Sequence, residues 1–222
     1  SHYWTRFLLC QIYCVAEKKK NLKILHPALY ATALSLPLYP MLTLNDVLNL
    51  PGETDTNLVS TSDNLTCGLT IQDFSCAEFD VPSATRLEEF FRVDENHSLS
   101  MDVCNFFENP FHIKYHFHSS VLRMPVIMNR LKFNVTEPIA NLHVIERCYF
   151  RGKEFVSYSW EFPDPCFPDE IYTWDQRYTR SIALDALEDQ MIAHPWQVTM
   201  DSFVVADNRL IRHTKASFKY SK

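Results

Sequence analysis

From Phe111 to His118 apolar and polar residues alternate, with Phe111, Ile113, Tyr115 and Phe117 on one side of an extended chain and His112, Lys114, His116 and His118 on the other. A period of two marks a strand with one buried and one wet face. Arg130 to Val135 repeats the pattern, with Leu131, Phe133 and Val135 inward and Arg130, Lys132 and Asn134 outward. Glu154 to Phe162 does so again, setting Val156, Tyr158, Trp160 and Phe162 opposite Ser157, Ser159 and Glu161. Three such segments predict antiparallel sheet with a solvated side. Leu65 to Phe79, rich in Thr, Ile and Phe, predicts a further strand, and Met101 to Phe106 a weaker one.

In Val144 to Phe150 both phases are apolar. If Val144, Glu146, Cys148 and Phe150 share the inner face, Glu146 points to the apolar side, where a charge is costly unless a donor meets it. The opposite phase puts Ile145, Arg147 and Tyr149 inside, and periodicity does not choose between them. An ion pair of Glu146 with Arg147 or with a neighbouring strand is the purely structural alternative.

The period changes after Ser181, which can cap a helix whose Leu184, Leu187 and Met191 form one stripe while Asp185, Glu188 and Asp189 lie elsewhere. His194-Pro195 ends it. Asn45 to Gly52 predicts a short helical turn capped by Asn45 and stopped by Pro51-Gly52. Ser202 to Ala206 and Arg209 to His213 flank Asp207-Asn208, two residues that tolerate the positive φ of a tight hairpin. Many short strands with one inserted helix predict an all-β chain folded as a β-sandwich.

The pattern starts near residue 42, which divides an N-terminal extension, 1–41, from a sandwich domain, 42–222. Within the extension Trp4 to Val15 is apolar but too short to cross a bilayer, and Ala28 to Met41 contains Pro37 and Pro40. Lys18 to Lys20 follow the apolar stretch, whereas a signal peptide places its charge first. The segment is assigned no function.

Composition narrows the function classes. The 222 residues can bury a sizeable core, and a formal charge of −6 gives no general attraction to nucleic acid or to an anionic membrane. With 16 Phe, 10 Tyr and 4 Trp against 3 Gly, the chain has bulky rings able to line a cavity and too few glycines for a phosphate-cradling loop. Seven cysteines without a CxxC pair indicate a reducing cytosol rather than a disulfide framework. Sequons at Asn64, Asn96 and Asn134 are attributed to chance, the last because it falls in a strand.

Catalytic chemistry finds little support. His112, His116 and His118 could ligate a metal from one strand face, but Lys114 places a cation in their midst, and a solvated polar face is expected instead. There is no GxSxG and no glycine-framed cysteine, and Cys166 in PDPCFP sits in a proline-held loop. No catalytic residue, metal site or cofactor is expected.

Several motifs, in order, resemble a known family: NDVLNL (Asn45 to Leu50), KYHF (Lys114 to Phe117), VLRM with LKF (Val121 to Met124, Leu131 to Phe133), IERCYFRG (Ile145 to Gly152) and EIY (Glu170 to Tyr172). MIAHPW (Met191 to Trp196) followed by DSFVVADNRLIRHTKASFKY (Asp201 to Tyr220) is the most specific. From about residue 44 to 220 the chain resembles the GMP phosphodiesterase delta-subunit family of lipid-binding chaperones, in its uncoordinated-protein branch, which carries N-myristoylated proteins.

The resemblance implies an immunoglobulin-like sandwich with a hydrophobic lipid pocket between its sheets. It implies that Tyr115, Leu131, Phe133, Tyr158, Trp160, Phe162 and Val204 line the pocket, with Tyr172 near its mouth and Glu146 as partner of the amide end of an acylated peptide. Implied partners are N-myristoylated proteins and Arf-like small GTPases, which release cargo in the GTP state. Neither nucleic acid nor stable membrane insertion is implied. The implied location is cytoplasmic, with cilium or flagellum association as family context. The chain departs from the branch at Val204, where an aromatic is usual, and in the PDPCFPDE loop after Phe162, which bears on cargo choice. A prenyl-binding carrier of the same fold and a non-lipid interaction sandwich are the competing expectations.

Overall fold

The alternation of Arg130 to Val135 is realised in a strand whose Leu131, Phe133 and Val135 pack inward between two sheets. The computed structural model describes residues 41–59, 67–93 and 112–222. Its elements in chain order are α1 (Leu44–Leu48), β1 (Leu69–Asp80), β2 (Thr85–Val93), β3 (His112–His118), β4 (Val126–Val135), β5 (Leu142–Phe150), β6 (Lys153–Glu161), β7 (Tyr172–Thr179), α2 (Ile182–Ala193), β8 (Val198–Ala206) and β9 (Arg209–Ser221). One sheet runs β2-β1-β4-β7 and the other β3-β9-β8-β5-β6, giving the expected β-sandwich.

Two apolar clusters lie between the sheets. One gathers Phe133, Val144, Phe162, Trp174 and Val204, and the other Cys76, Phe91, Phe117, Phe150 and Tyr220. Helix α2 adds Met191, Leu184 and Leu187 to the second cluster, so its apolar stripe closes that part of the sandwich. Ser181 caps this helix as expected, its hydroxyl accepting from Ala183 N at 3.2 Å. The β8–β9 hairpin turns on Asp207 (φ 47°) and Asn208 (φ 62°), both in the left-handed region.

Four expectations are corrected. The first helical turn is capped by Thr43, not Asn45, through a reciprocal capping box with Asp46. β3 pairs in parallel with β9, an exception in otherwise antiparallel sheets. Its histidine face is engaged rather than simply wet: His112 and His116 bond Ser217 and Ser221 at 2.6 and 2.7 Å, and Lys114 lies 5.7 Å from the Trp196 ring centroid. The outer side of the five-stranded sheet is solvated only in part: Ser157, Ser159 and Glu161 of β6 are exposed as expected, but the centre is covered. Val47, with Leu42, Leu44 and Leu50, packs there on Ile145, Phe203, Val205 and Leu210.

A buried ionic network fastens this covering segment. Asp201 accepts from Thr54 N at 2.9 Å and from the Thr54 hydroxyl at 3.1 Å, and Lys215 Nζ donates to it at 2.5 Å. His213, stacked on Phe203, accepts from Leu58 N at 2.9 Å through Nδ1 and lies 3.3 Å from Asp201 through Nε2. Burial alone would raise the Asp201 carboxyl, but bonds from His213, Lys215 and Thr54 outweigh it and hold the group below its usual range.

Among the described residues, no group of three or more His, Cys, Asp or Glu could hold a metal, and no helix is long and apolar enough to cross a membrane. Asn134 lies within β4, as expected for that sequon. The expectations for residues 1–40, for Met101 to Phe106, for Phe111 at the start of its strand, for Asn64 and Asn96, and for Leu65-Thr66 of the first strand fall outside the described residues.

Candidate site between the sheets

The open question of the β5 phase is answered by pairing. Leu142, Val144, Glu146, Cys148 and Phe150 stand opposite Ala206, Val204, Ser202, Met200 and Val198 of β8. Val144, Val204, Leu142 and Ala206 belong to an inter-sheet cluster, so Glu146 and Ser202 share that inner face. The sequence was ambiguous because both faces of β5 are buried: Ile145 lies under the 41–59 cover, and Glu146 lies between the sheets.

Glu146 is not in the ion pair that was the structural alternative. Arg147 points to the other side and binds Glu154 at 2.6 Å. Glu146 instead accepts from the Tyr178 hydroxyl at 2.9 Å and from the Ser202 hydroxyl at 3.2 Å. Tyr178 comes from β7 of the facing sheet, so the bond spans the sandwich. Burial pushes the Glu146 carboxyl up to about 7, and the two hydroxyl bonds offset only part of that rise. The same burial, reinforced by the nearby carboxylate, raises Tyr178 well above the ordinary phenol range.

Rings surround this carboxyl. Tyr158 and Trp160 of β6 stack with centroids 5.4 Å apart, and Tyr178 meets them at 4.9 and 4.7 Å. Tyr158 also donates to Thr179 O at 2.9 Å, tying the exposed edge of one sheet to that of the other. Next to them, Phe133 contacts Phe162, Tyr172 and Trp174 at 5.4, 5.5 and 6.5 Å, with Leu131 and Val204 against the same cluster. The Tyr172 hydroxyl accepts from Phe167 N and donates to Glu170, placing that ring between the interior and the loop 163–171.

Most of the expected lining residues therefore come together: Leu131, Phe133, Tyr158, Trp160, Phe162, Tyr172 and Val204 form one wall system with Glu146 beside it. Tyr115 is set apart, stacked on Phe117 and Phe218 in the second cluster at 5.7 and 5.5 Å. It is still near enough to the carboxylate for Glu146 to raise its hydroxyl further, after burial and Cys76.

Four inner residues escaped the sequence pattern. Trp174 and Tyr178 lie on β7, where Gln176 between them breaks the apolar alternation. Ser202 looks like any polar strand residue until β8 is paired with β5. Arg212, opposite Val204 and buried, reaches across to donate to Leu69 O of β1 at 3.0 Å. By contrast Asp201, His213 and Lys215, three other polar residues of the motif that holds Ser202 and Arg212, belong to the outer network and do not touch this site.

What the arrangement can do follows from its parts. Apolar walls favour an alkyl or isoprenoid chain over a polar ligand. The carboxylate has acceptor positions beyond the two in use, so it can receive one further donor from a ligand's polar end.

Residues 70–220 match the family described as GMP-PDE, delta subunit. Protein unc-119 of Caenorhabditis briggsae is 27% identical over 180 residues, 81% of this chain and 80% of that protein. Protein unc-119 of Caenorhabditis elegans matches over the same shares at 27% identity. Protein unc-119 homolog B of Danio rerio is 31% identical over 110 residues, 49% of this chain and 45% of that protein. The match covers more than half of the chain and the sheets that enclose Glu146 lie within it, so the chain belongs to the GMP-PDE delta-subunit family, in the branch of the unc-119 proteins.

Proposed function

We propose that the protein is a carrier of N-myristoylated proteins, holding the acyl chain between its two sheets with the acyl amide directed at Glu146. The family is one of lipid-binding carriers rather than enzymes, which supports the general role. The observation that favours the amide is a carboxylate between apolar walls, met by Tyr178 and Ser202 hydroxyls and, among the described residues, by no cation. An acyl amide brings the N–H donor that such an acceptor lacks.

The energetics suit a carrier. Removing a methylene from water gains about 0.8 kcal/mol, so a myristoyl chain gains on the order of 10 kcal/mol gross. That is enough to compete with a membrane without any covalent step. Release by a GTP-bound Arf-like GTPase, and delivery to cilia or other membranes, are parts of the proposal carried by family. Release needs a partner that binds the unloaded conformation better than the loaded one.

The test is a titration with a myristoylated peptide beginning with Gly, its unacylated twin and a farnesylated peptide. Acyl-dependent binding at or below micromolar concentration is expected, with the farnesylated peptide weaker. Equal behaviour of acylated and unacylated peptides refutes the carrier role, and preference for the farnesylated peptide moves the protein to the prenyl-binding alternative.

A further inference from the structure

The inner cation Arg212 of β9 stands opposite Val204, with its guanidinium turned to Leu69 O of β1. The groups nearest Glu146 are all uncharged at neutral pH. They are Tyr178 from β7, Ser202 from β8, Cys148 from β5 itself, Tyr158 from β6, Cys76 from β1 and Tyr115 from β3. They come from both sheets, and burial raises the ionisation of each of the two thiols and three phenols above its ordinary range. No cation among the described residues touches the carboxylate, whose only bonds there are the two hydroxyl donors. A negative charge so placed, in a region of low polarity, repels a second one far more than it would in water. It attracts an N–H or O–H donor on the same physical ground.

We propose that Glu146 is a charge filter: ionised, it admits a lipid whose polar end donates a hydrogen bond, as an acyl amide does, and turns away the free fatty acid of the same chain length. Protonation of Glu146 opens the site to the fatty acid. This rests on the carrier reading above and adds what that reading does not contain, discrimination between two ligands with identical tails. A cell holds free fatty acid as well as acylated protein, and apolar walls alone cannot tell their tails apart. Only the polar end differs, and Glu146 is the acidic residue beside the inner aromatic walls, whereas the inner cation Arg212 is turned to Leu69 O of β1 at 3.0 Å.

Burial places the titration of Glu146 near 7, so the filter changes state between pH 6 and pH 8. A fatty acid monomer in water is ionised at both values. Its binding therefore reports the protein side: affinity for myristate falls about tenfold from pH 6 to pH 8 if only the protonated protein accepts it. The myristoylated peptide, which brings no carboxylate to this position, changes by less than about threefold over the same interval.

The experiment titrates wild-type protein and Glu146→Gln with sodium myristate and with a myristoylated glycine peptide, at pH 6 and pH 8 below the critical micelle concentration. In the wild type the tenfold fall for myristate and the near-constant peptide affinity are expected. In E146Q, myristate binding is expected to be flat with pH and about tenfold tighter than wild type at pH 8. Peptide binding with pH-independent myristate binding in the wild type overturns the filter and leaves the carrier role standing. The same holds for an E146Q variant that keeps the wild-type pH dependence. Failure of the peptide itself to bind overturns the carrier role and the filter with it. The wild-type comparison does not depend on the variant folding, so it decides the question alone if E146Q is unstable.

Discussion

Replacing Glu146 by Gln removes a charge from the interior while keeping the side chain's shape, and its effect on stability can be worked from the site. Folding raises this carboxyl from its usual 4.5 to about 7, chiefly by burial. Each tenfold change in an ionisation constant is about 1.4 kcal/mol, so the buried charge withholds about 3 kcal/mol from folding at pH 8. The sign follows from the direction: a carboxyl raised on folding favours the folded state fully below pH 4.5, and that advantage is lost as pH climbs through 7. Gln accepts one hydroxyl through its oxygen and must donate to the other through its NH2, so a neutral bond of reversed direction replaces a charge-assisted one, at about 1 kcal/mol. E146Q is therefore expected to be more stable than wild type by about 2 kcal/mol at pH 8 and nearly equal to it at pH 5. Urea unfolding of both proteins at the two pH values measures the difference, and the other titrating groups cancel in the comparison. A difference that does not change with pH, or a variant less stable than wild type at pH 8, would refute the uncompensated burial of Glu146.

Asp201→Ala leaves Lys215 and His213 buried without their carboxylate, at a cost of about 3–5 kcal/mol, and should raise hydrogen exchange at the Thr54 and Leu58 amides before those of β4. Unchanged protection at those two amides would show that the network does not hold the 41–59 cover. Tyr178→Phe removes the donor at 2.9 Å from Glu146 and should cost about 1–3 kcal/mol at pH 8 but less at pH 5, where the carboxyl is protonated; equal losses at the two values would contradict it. Trp160→Ala strips one wall beside Tyr158 and Tyr178 and should weaken binding of a myristoylated peptide by about tenfold or more, read by fluorescence anisotropy, whereas unaltered affinity would place the chain elsewhere.

Much of the fold was legible because single-sided strands write their burial as alternation. β4 and β6 show it clearly, and the Asp207-Asn208 turn and the Ser181 cap carry local signals that tertiary packing did not override. β2 was not read as a strand because Thr85–Val93 mixes charged residues into its alternation, where Arg86 pairs with Glu89 and Arg92 with Asp73 on the sheet surface. β7 was missed because its inward row includes Gln176. β5 could not be phased because two different layers bury its two faces, one of them a segment nearly a hundred residues away in sequence.

The candidate site was legible only in part, for a related reason. Aromatic residues announce themselves, so Phe133, Tyr158, Trp160 and Phe162 stand out, but the groups that give the site its chemistry are small or ordinary. Ser202 matters because strand pairing sets it beside Glu146, and Tyr178 because the facing sheet brings it within 2.9 Å. The motif residues that carried the resemblance most strongly, Asp201, His213 and Lys215, turned out to fasten the outer cover. Sequence likeness there speaks for the fold, while under the proposed carrier role it is the inner face with Glu146, Val204 and Arg212 that meets the ligand.

The most direct test of the central claim is a crystal structure of the protein with a myristoylated glycine peptide. The acyl chain is expected between the sheets against Phe133, Trp160 and Phe162, with the amide nitrogen within hydrogen-bond distance of a Glu146 carboxylate oxygen. A chain lying outside the sandwich, or an amide bonded elsewhere with Glu146 still held only by Tyr178 and Ser202, would contradict it.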